Sequence, residues 1–215
     1  MKNSSGPFYD EDDDMKESNE QEIKPFEYFE QNLNQKIHHF YLSGEIGEPN
    51  QYVKMVHTIL SAPAHDTIYI HLNTPGGYLH TGIQIVNAMR NTEAQVICSL
   101  EGEAHSLGSL IFLAADKFVV HDNTTLMIHN FSGAIYGKGK EAEMQMNASL
   151  EWFYDIGDKY YIPFLTKKEF DGVVNDTDIW LHPPEIRERL EKMIKSKTRK
   201  KSWYSYKDVI LLFDG

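Results

Sequence analysis

The chain has 215 residues, 41% of them hydrophobic and 25% charged, enough to bury a full core in one large domain or two small ones. Its single cysteine, Cys98, excludes an intrachain disulfide and fits a reducing compartment; inside an apolar run it reads as a small hydrophobe. A formal net charge of −11 argues against general nucleic-acid affinity, and no apolar run is long enough to span a bilayer.

In chain order, residues 1–22 come first, with eight acids, two lysines and few aliphatics, and read as an acidic disordered arm. They hold no apolar segment of the kind a secretory signal needs. The ordered domain is expected over residues 23–194. His38 to Leu42 is a short strand candidate, closed by Ser43-Gly44-Glu45. Gln51 to Leu60 places Val53, Val56, Ile59 and Leu60 at helical spacing, and Ala62-Pro63-Ala64 ends that helix. Thr67 to Leu72 is a strand, followed at once by Asn73-Thr74-Pro75-Gly76-Gly77. Thr81 to Arg90 then puts Ile83, Val86 and Met89 on one helical face. The unit repeats, with a strand over Ala94 to Leu100, a tight turn, a helix over 107–115, and strands at Lys117 to Val120 and Leu126 to His129. Strands alternating with helices predict an α/β domain with largely parallel strands, whose ligands sit at the strands' carboxyl ends.

From Lys138 to Tyr161 the alternation of Ala142, Met144, Met146 and Ala148 fits a strand, but length and the Glu, Gln and Lys content favour a long helix. Its apolar residues, Met144, Leu150, Trp152, Phe153 and Ile156 among them, lie around most of its circumference, which predicts burial against a second subunit. Pro184 to Ile194 is a last amphipathic helix. Residues 195–215 form a basic, then aromatic, C-terminal tail, and 187–201 carry eight bases against two acids.

Three elements carry chemistry. In Asn73-Thr74-Pro75-Gly76-Gly77 the proline fixes the turn and the glycines leave N–H groups open to a ligand. Ser106 stands where a strand passes into a helix, with Gly108 two residues on permitting close packing. A serine at a helix start ordinarily caps it, but the same place suits a nucleophile, with an exposed hydroxyl beside unpaired N–H groups. His129 ends a strand and is the candidate base; His105 is a rival only by sequence, because successive residues do not face each other. The remaining histidines are scattered without metal-ligand spacing, so no metal or cofactor is expected.

Together these segments, with Gly102-Glu103-Ala104-His105-Ser106-Leu107-Gly108 and Met127-Ile128-His129 as the second and third, resemble the signatures of the Clp protease proteolytic subunit family, N-S-P-G-G, G-x-A-A-S-M-G and M-I-H-Q-P. The similarity runs from about His38 to about Leu190. It implies a crotonase-like α/β fold of repeated β-turn-α units with a projecting handle helix, here about 139–160. It implies Ser106 as nucleophile, His129 as base and Asp178 as acid, the last by matching Asp178-Ile179-Trp180-Leu181 to the family's Asp-x-Phe-Leu piece; Asp176 is the alternative. The N–H groups of Gly77 and Leu107 would form the oxyanion hole, and Gly76, Tyr78, Ser132 and Gly133 would bind substrate. The implied assembly is a cytoplasmic double seven-membered ring that hydrolyses unfolded polypeptides fed by an AAA+ unfoldase, without cofactor. The chain departs from the pattern in two places. The arginine that ties neighbouring subunits has no counterpart before Asp178, and Asn130-Phe131 stand where the family has Gln-Pro. Two other readings remain, an inactive ring subunit that scaffolds an active partner, and a crotonase-type acyl-CoA enzyme, which would rely on carboxylates.

Overall fold

Phe40 and Leu42, then Ile68, Ile70 and Leu72, alternate with half-buried residues such as Tyr41 and His71, and this two-residue period turns one face of a sheet into the core. The structure, a computed structural model, describes residues 27–32, 35–132, 137–162 and 164–199. The arm expected at 1–22, residues 200–215 of the expected tail, and Gly133 lie outside them.

Among the described residues the sheet has seven strands. β1 (Tyr28–Asn32), which the sequence reading did not find, runs antiparallel to β2 (Lys36–Ser43). β2, β3 (Thr67–Thr74) and β4 (Gln95–His105) are parallel neighbours. The far edge of β4 is shared in tandem, first by β5 (Lys117–Val120) and then by β6 (Thr125–Ile128), both parallel to it. β7 (Ile179–Leu181) closes the sheet antiparallel to β6.

Helices α1 (Val53–Ser61), α2 (Leu79–Asn91) and α3 (Leu107–Leu113) connect the parallel strands, giving the α/β domain of repeated β-turn-α units that the sequence predicts. Every residue of α3 is buried, so the helix behind the Ser106 turn is a fixed support.

The expected strand end at Leu100 is corrected, since β4 continues through Gly102 to His105. Glu101-Gly102 looks like a turn, but the Asn73 side-chain carbonyl accepts the Glu103 N–H at 3.2 Å and bridges an irregularity in the β3 pairing. A Cβ on Gly102 would lie 2.2 Å from that Asn73 oxygen, so only glycine admits the bridge.

The long segment is helical, as its length and composition favoured. α4 (Gly139–Ile156) passes directly into a π-helical turn, Gly157–Tyr161. Its first half stands in solvent, with Met144 72% exposed, whereas Phe153 and Ile156 are buried in the core. Trp152, expected to face a second subunit, is half-buried on this subunit's core, with its ring stacked on His80 at 5.8 Å.

α5 (Lys167–Val174) was also not anticipated, although Thr166 and Glu169 form a reciprocal capping box at its start. α6 (Pro183–Arg199) runs past the boundary drawn at 194. The pairs Glu188–Lys192 and Glu191–Lys195, one helical turn apart, favour the helix in that polar stretch.

Candidate active site

Ser106 alone makes the junction between β4 and α3, at φ 51° and ψ −120°. A residue with a Cβ in that region costs about 1–3 kcal/mol and persists only where its surroundings hold it. Here the Ser106 N–H donates to the Met127 carbonyl of β6 at 2.9 Å, and the Ser106 carbonyl accepts the Ser109 N–H at 3.0 Å. Ser106 occupies the cap position of α3, yet its hydroxyl makes no capping hydrogen bond. The ordinary reason for a serine at a helix start is therefore missing, and the side chain lines a cavity of about 540 Å³ instead.

The Pro75-Gly76-Gly77 turn leaves the end of β3 and lies against this junction. Gly76 has φ +102°, and a Cβ there would come within 2.9 Å of the Ser106 Cβ and 3.1 Å of the Leu107 nitrogen. At Gly77, φ +146°, a Cβ would meet the Ile46 carbonyl at 2.1 Å. Both positions require glycine for close backbone approach. Ile46 donates to the Gly76 carbonyl at 2.7 Å and accepts the Tyr78 N–H at 2.8 Å. That parallel bridge turns the N–H of Gly77 away from Ile46. The N–H of Leu107, first residue of α3, likewise has no partner within its own helix. Gly77, Tyr78, Leu107, His129 and Ser132 line the same cavity as Ser106.

His129 follows the last residue of β6 and is half-buried. The β6–β7 ladder pairs Leu126 with Leu181, Met127 with Trp180 and Ile128 with Ile179. The ladder ends there; continued by one step, the same register would set Asp178 opposite His129, on the same face of the sheet. Asp176 sits two residues away at φ 62°, and its carboxylate accepts the Asn130 side-chain amide at 3.2 Å. Among the described residues no hydrogen bond joins Ser106, His129 and Asp178 to one another, and Asp178 is exposed. Catalytic hydrogen bonds are often long in unliganded enzymes and tighten when substrate binds.

His105 is set apart from this group. Its two ring nitrogens face Glu103 at 3.0 Å and Thr125 at 2.9 Å, and its ring meets Trp180 edge-on. Burial holds its pKa below the ordinary value, against the opposing pull of Glu103. Cys98 is buried in β4, and burial pushes its thiol pKa well up, so it is inert as a nucleophile. A second cavity, of about 480 Å³, lies beside α5 and α6, but there Glu169 is already paired with Arg189 at 2.7 Å. Among the described residues no group of three or more His, Cys, Asp or Glu side chains is placed to hold a metal ion, and no helix is long and apolar enough to cross a membrane.

The sequence reading missed the far wall of the main cavity, which Phe131, Phe153, Ile156 and Tyr161 form. The helical spacing of Phe153, Ile156 and Tyr160 was legible; that the π-turn would aim Tyr161 inward was not.

Comparison with known proteins agrees with this architecture. The family model described as Clp protease matches residues 27–185. Over 113 residues the chain is 33% identical to the ATP-dependent Clp protease proteolytic subunit 2 of Pseudomonas aeruginosa, covering 51% of this chain and 56% of that one. It is 29% identical over 129 residues to the ATP-dependent Clp protease proteolytic subunit of Borreliella afzelii, covering 58% and 64%. A protein of Chlamydia pneumoniae with the same name as the first is 31% identical over 105 residues, covering 47% and 52%. The chain thus spans between about half and two thirds of the length of these relatives. Because the family match runs from before β1 through β7, the chain belongs to the Clp protease family.

Proposed function

We propose that this chain is the proteolytic subunit of an ATP-dependent Clp-type protease, a serine endopeptidase acting on unfolded polypeptide in the cytoplasm. The observation that carries the reading is Ser106, held at a strained turn with its hydroxyl uncapped and facing a cavity shared with His129. His129 takes the hydroxyl proton as Ser106 Oγ attacks the peptide carbonyl carbon. The oxygen that becomes negative accepts from the N–H groups of Gly77 and Leu107. The C–N bond breaks as His129 returns the proton to the leaving amine, and water releases the acyl group by the same two transfers. Asp178 orients His129 and balances its charge. The β6–β7 register supports Asp178 in this role, and the bond from Asn130 to Asp176 speaks against the alternative. Gly76, Tyr78, Ser132 and Gly133 are proposed to hold the substrate chain, and the part of the cavity lined by Phe131, Phe153 and Ile156 suits an apolar side chain beside the scissile bond.

The names of the relatives support an ATP-dependent partner, which we take to be an AAA+ unfoldase. The seven-membered ring rests on the family resemblance, and the exposed half of α4 is the surface we propose for a contact between subunits. Trp152 is half-buried against its own subunit and Met144 is more exposed, so Met144→Glu is the better probe of that contact. It should shift the population seen by mass photometry to smaller species, and full assembly would place the interface elsewhere.

The scaffold reading keeps one observation in its favour, the lack of hydrogen bonds joining Ser106, His129 and Asp178. Peptide hydrolysis by purified wild type and Ser106→Ala separates the two. The endopeptidase reading expects a loss of about 10⁴-fold or more. Equal rates in the two preparations would contradict it.

A further inference from the structure

Ser109 is fully buried on the first turn of α3, and its hydroxyl lies 2.6 Å from the Ser106 carbonyl oxygen. The same hydroxyl lies 3.1 Å from the phenol oxygen of Tyr161. A carbonyl can only accept, so the one Ser109 proton goes to Ser106, and Tyr161 must donate to Ser109. Burial pushes the Tyr161 phenol pKa up to about 12, against the opposing bond to Ser109, so the phenol keeps its proton at neutral pH.

Tyr161 reaches Ser109 through the π-turn that ends the projecting helix. The Ile162 N–H donates five residues back to the Gly157 carbonyl at 2.8 Å, and the wider turn rotates the residues at its end about the helix axis. Gly157 permits it, since a Cβ there would lie 1.7 Å from the Phe170 ring. Tyr161 also lines the cavity that Ser106 faces.

We propose that Tyr161 and Ser109 are positioning residues, a two-hydroxyl relay that holds the Ser106 carbonyl and with it the backbone angle that presents the nucleophile. The relay makes the orientation of Ser106 depend on where the long helix ends. The kinetic part of this inference rests on the peptidase reading above. Neither residue touches the reacting atoms, so losing the relay should slow chemistry without weakening substrate binding.

The test is the rate at which a fluorophosphonate labels Ser106 in the full chain, with kcat and KM for one peptide. In Tyr161→Phe, which keeps the ring, labelling and kcat should each fall about tenfold, the scale of one lost hydrogen bond, with KM within about twofold. Ser109→Ala should do the same, and the double variant should be no slower than Ser109→Ala, because both act through one carbonyl. Tyr160→Phe is the control, because the Tyr160 phenol is buried with no hydrogen-bond partner among the described residues, and it should label at the wild-type rate. An unchanged rate in Tyr161→Phe, an equal loss in Tyr160→Phe, or multiplying losses in the double variant would overturn the relay. If wild type is not labelled at Ser106, the peptidase reading fails, and crystal structures of Tyr161→Phe and Ser109→Ala decide the relay. Departure of Ser106 from its positive φ would uphold it, and an unmoved φ in both would reject it.

Discussion

Two acid–histidine–hydroxyl arrays stand at opposite ends of the same parallel strands. At the amino ends, the Tyr28 phenol meets His38 Nδ1 at 2.9 Å, and His38 Nε2 meets Asp66 at 2.9 Å. The His38 and Asp66 side chains are only 8% and 4% exposed. At the carboxyl ends, Ser106 and His129 line one cavity, and Asp178, the acid proposed for them, precedes β7 with no hydrogen bond to either among the described residues. By chemical inventory the first array looks more like a catalytic relay than the second. It has no access to substrate, however, and its hydrogen bonds are already made. It ties β1 and β2 to the loop before β3, and Asp66 also accepts the Lys36 N–H at 3.0 Å. A satisfied, buried polar array is structural cement. The array we propose to be reactive is the one with an idle hydroxyl, a strained backbone and room for a ligand.

The largest effect that would sharpen this contrast lies in the open array. Asp178→Asn should leave the fold intact and lower peptide hydrolysis about 10⁴-fold, by leaving the histidine in the wrong tautomer. Asp176→Asn should lose little. The opposite ranking would mean that the β6–β7 register does not continue past Ile128 and Ile179.

Breaking the closed array should harm stability and spare chemistry. His38→Ala removes one partner of a buried pair, and denaturant unfolding should show a loss of about 3–5 kcal/mol. The kcat per folded molecule should match wild type. A variant of full stability but no activity would reverse the roles assigned to the two arrays.

The mildest probe is pH. Burial alone would raise the Asp66 carboxyl, but the bonds from His38 and the Lys36 N–H, with the nearby imidazoles, outweigh it and hold its pKa below the ordinary range. The hydrogen bonds from Arg189 likewise hold Glu169 down, to about 2, against the cost of burial. A carboxyl lowered by folding stabilises the protein above its unfolded pKa, and that contribution is lost as pH falls through the folded one. The share of stability that these two carboxyls supply should therefore be flat near neutrality and decline from the ordinary carboxylate range down toward pH 2. In His38→Ala the Asp66 part of the decline should move to higher pH, because burial then acts on that carboxyl with its main opposing bond gone. An acid limb identical to wild type would show that His38 does not hold Asp66.

Much of the fold was legible in the chain, because its signals are local. Asn73 to Gly77 holds a proline and paired glycines, and Ser106 to Gly108 a hydroxyl and a glycine, each within a few residues, so that a turn after β3 and a strand-to-helix junction at Ser106 could be read directly. The choice between Asp178 and Asp176 could not, because it depends on a three-residue strand whose register is set by β6, about fifty residues away. The run of β4 through Gly102 depends equally on the Asn73 side chain of a neighbouring strand. The π-turn is a third case, in which Gly157 yields to Phe170 and carries Tyr161 onto Ser109.

If Ser106 is an activated nucleophile, it should react covalently with a serine-directed probe. Purified wild-type chain, incubated near neutral pH with a fluorophosphonate and digested for mass spectrometry, should carry one adduct, on Ser106. Neither Ser109 nor Ser132 should be modified. An adduct confined to another serine, or none after prolonged incubation, would contradict the account.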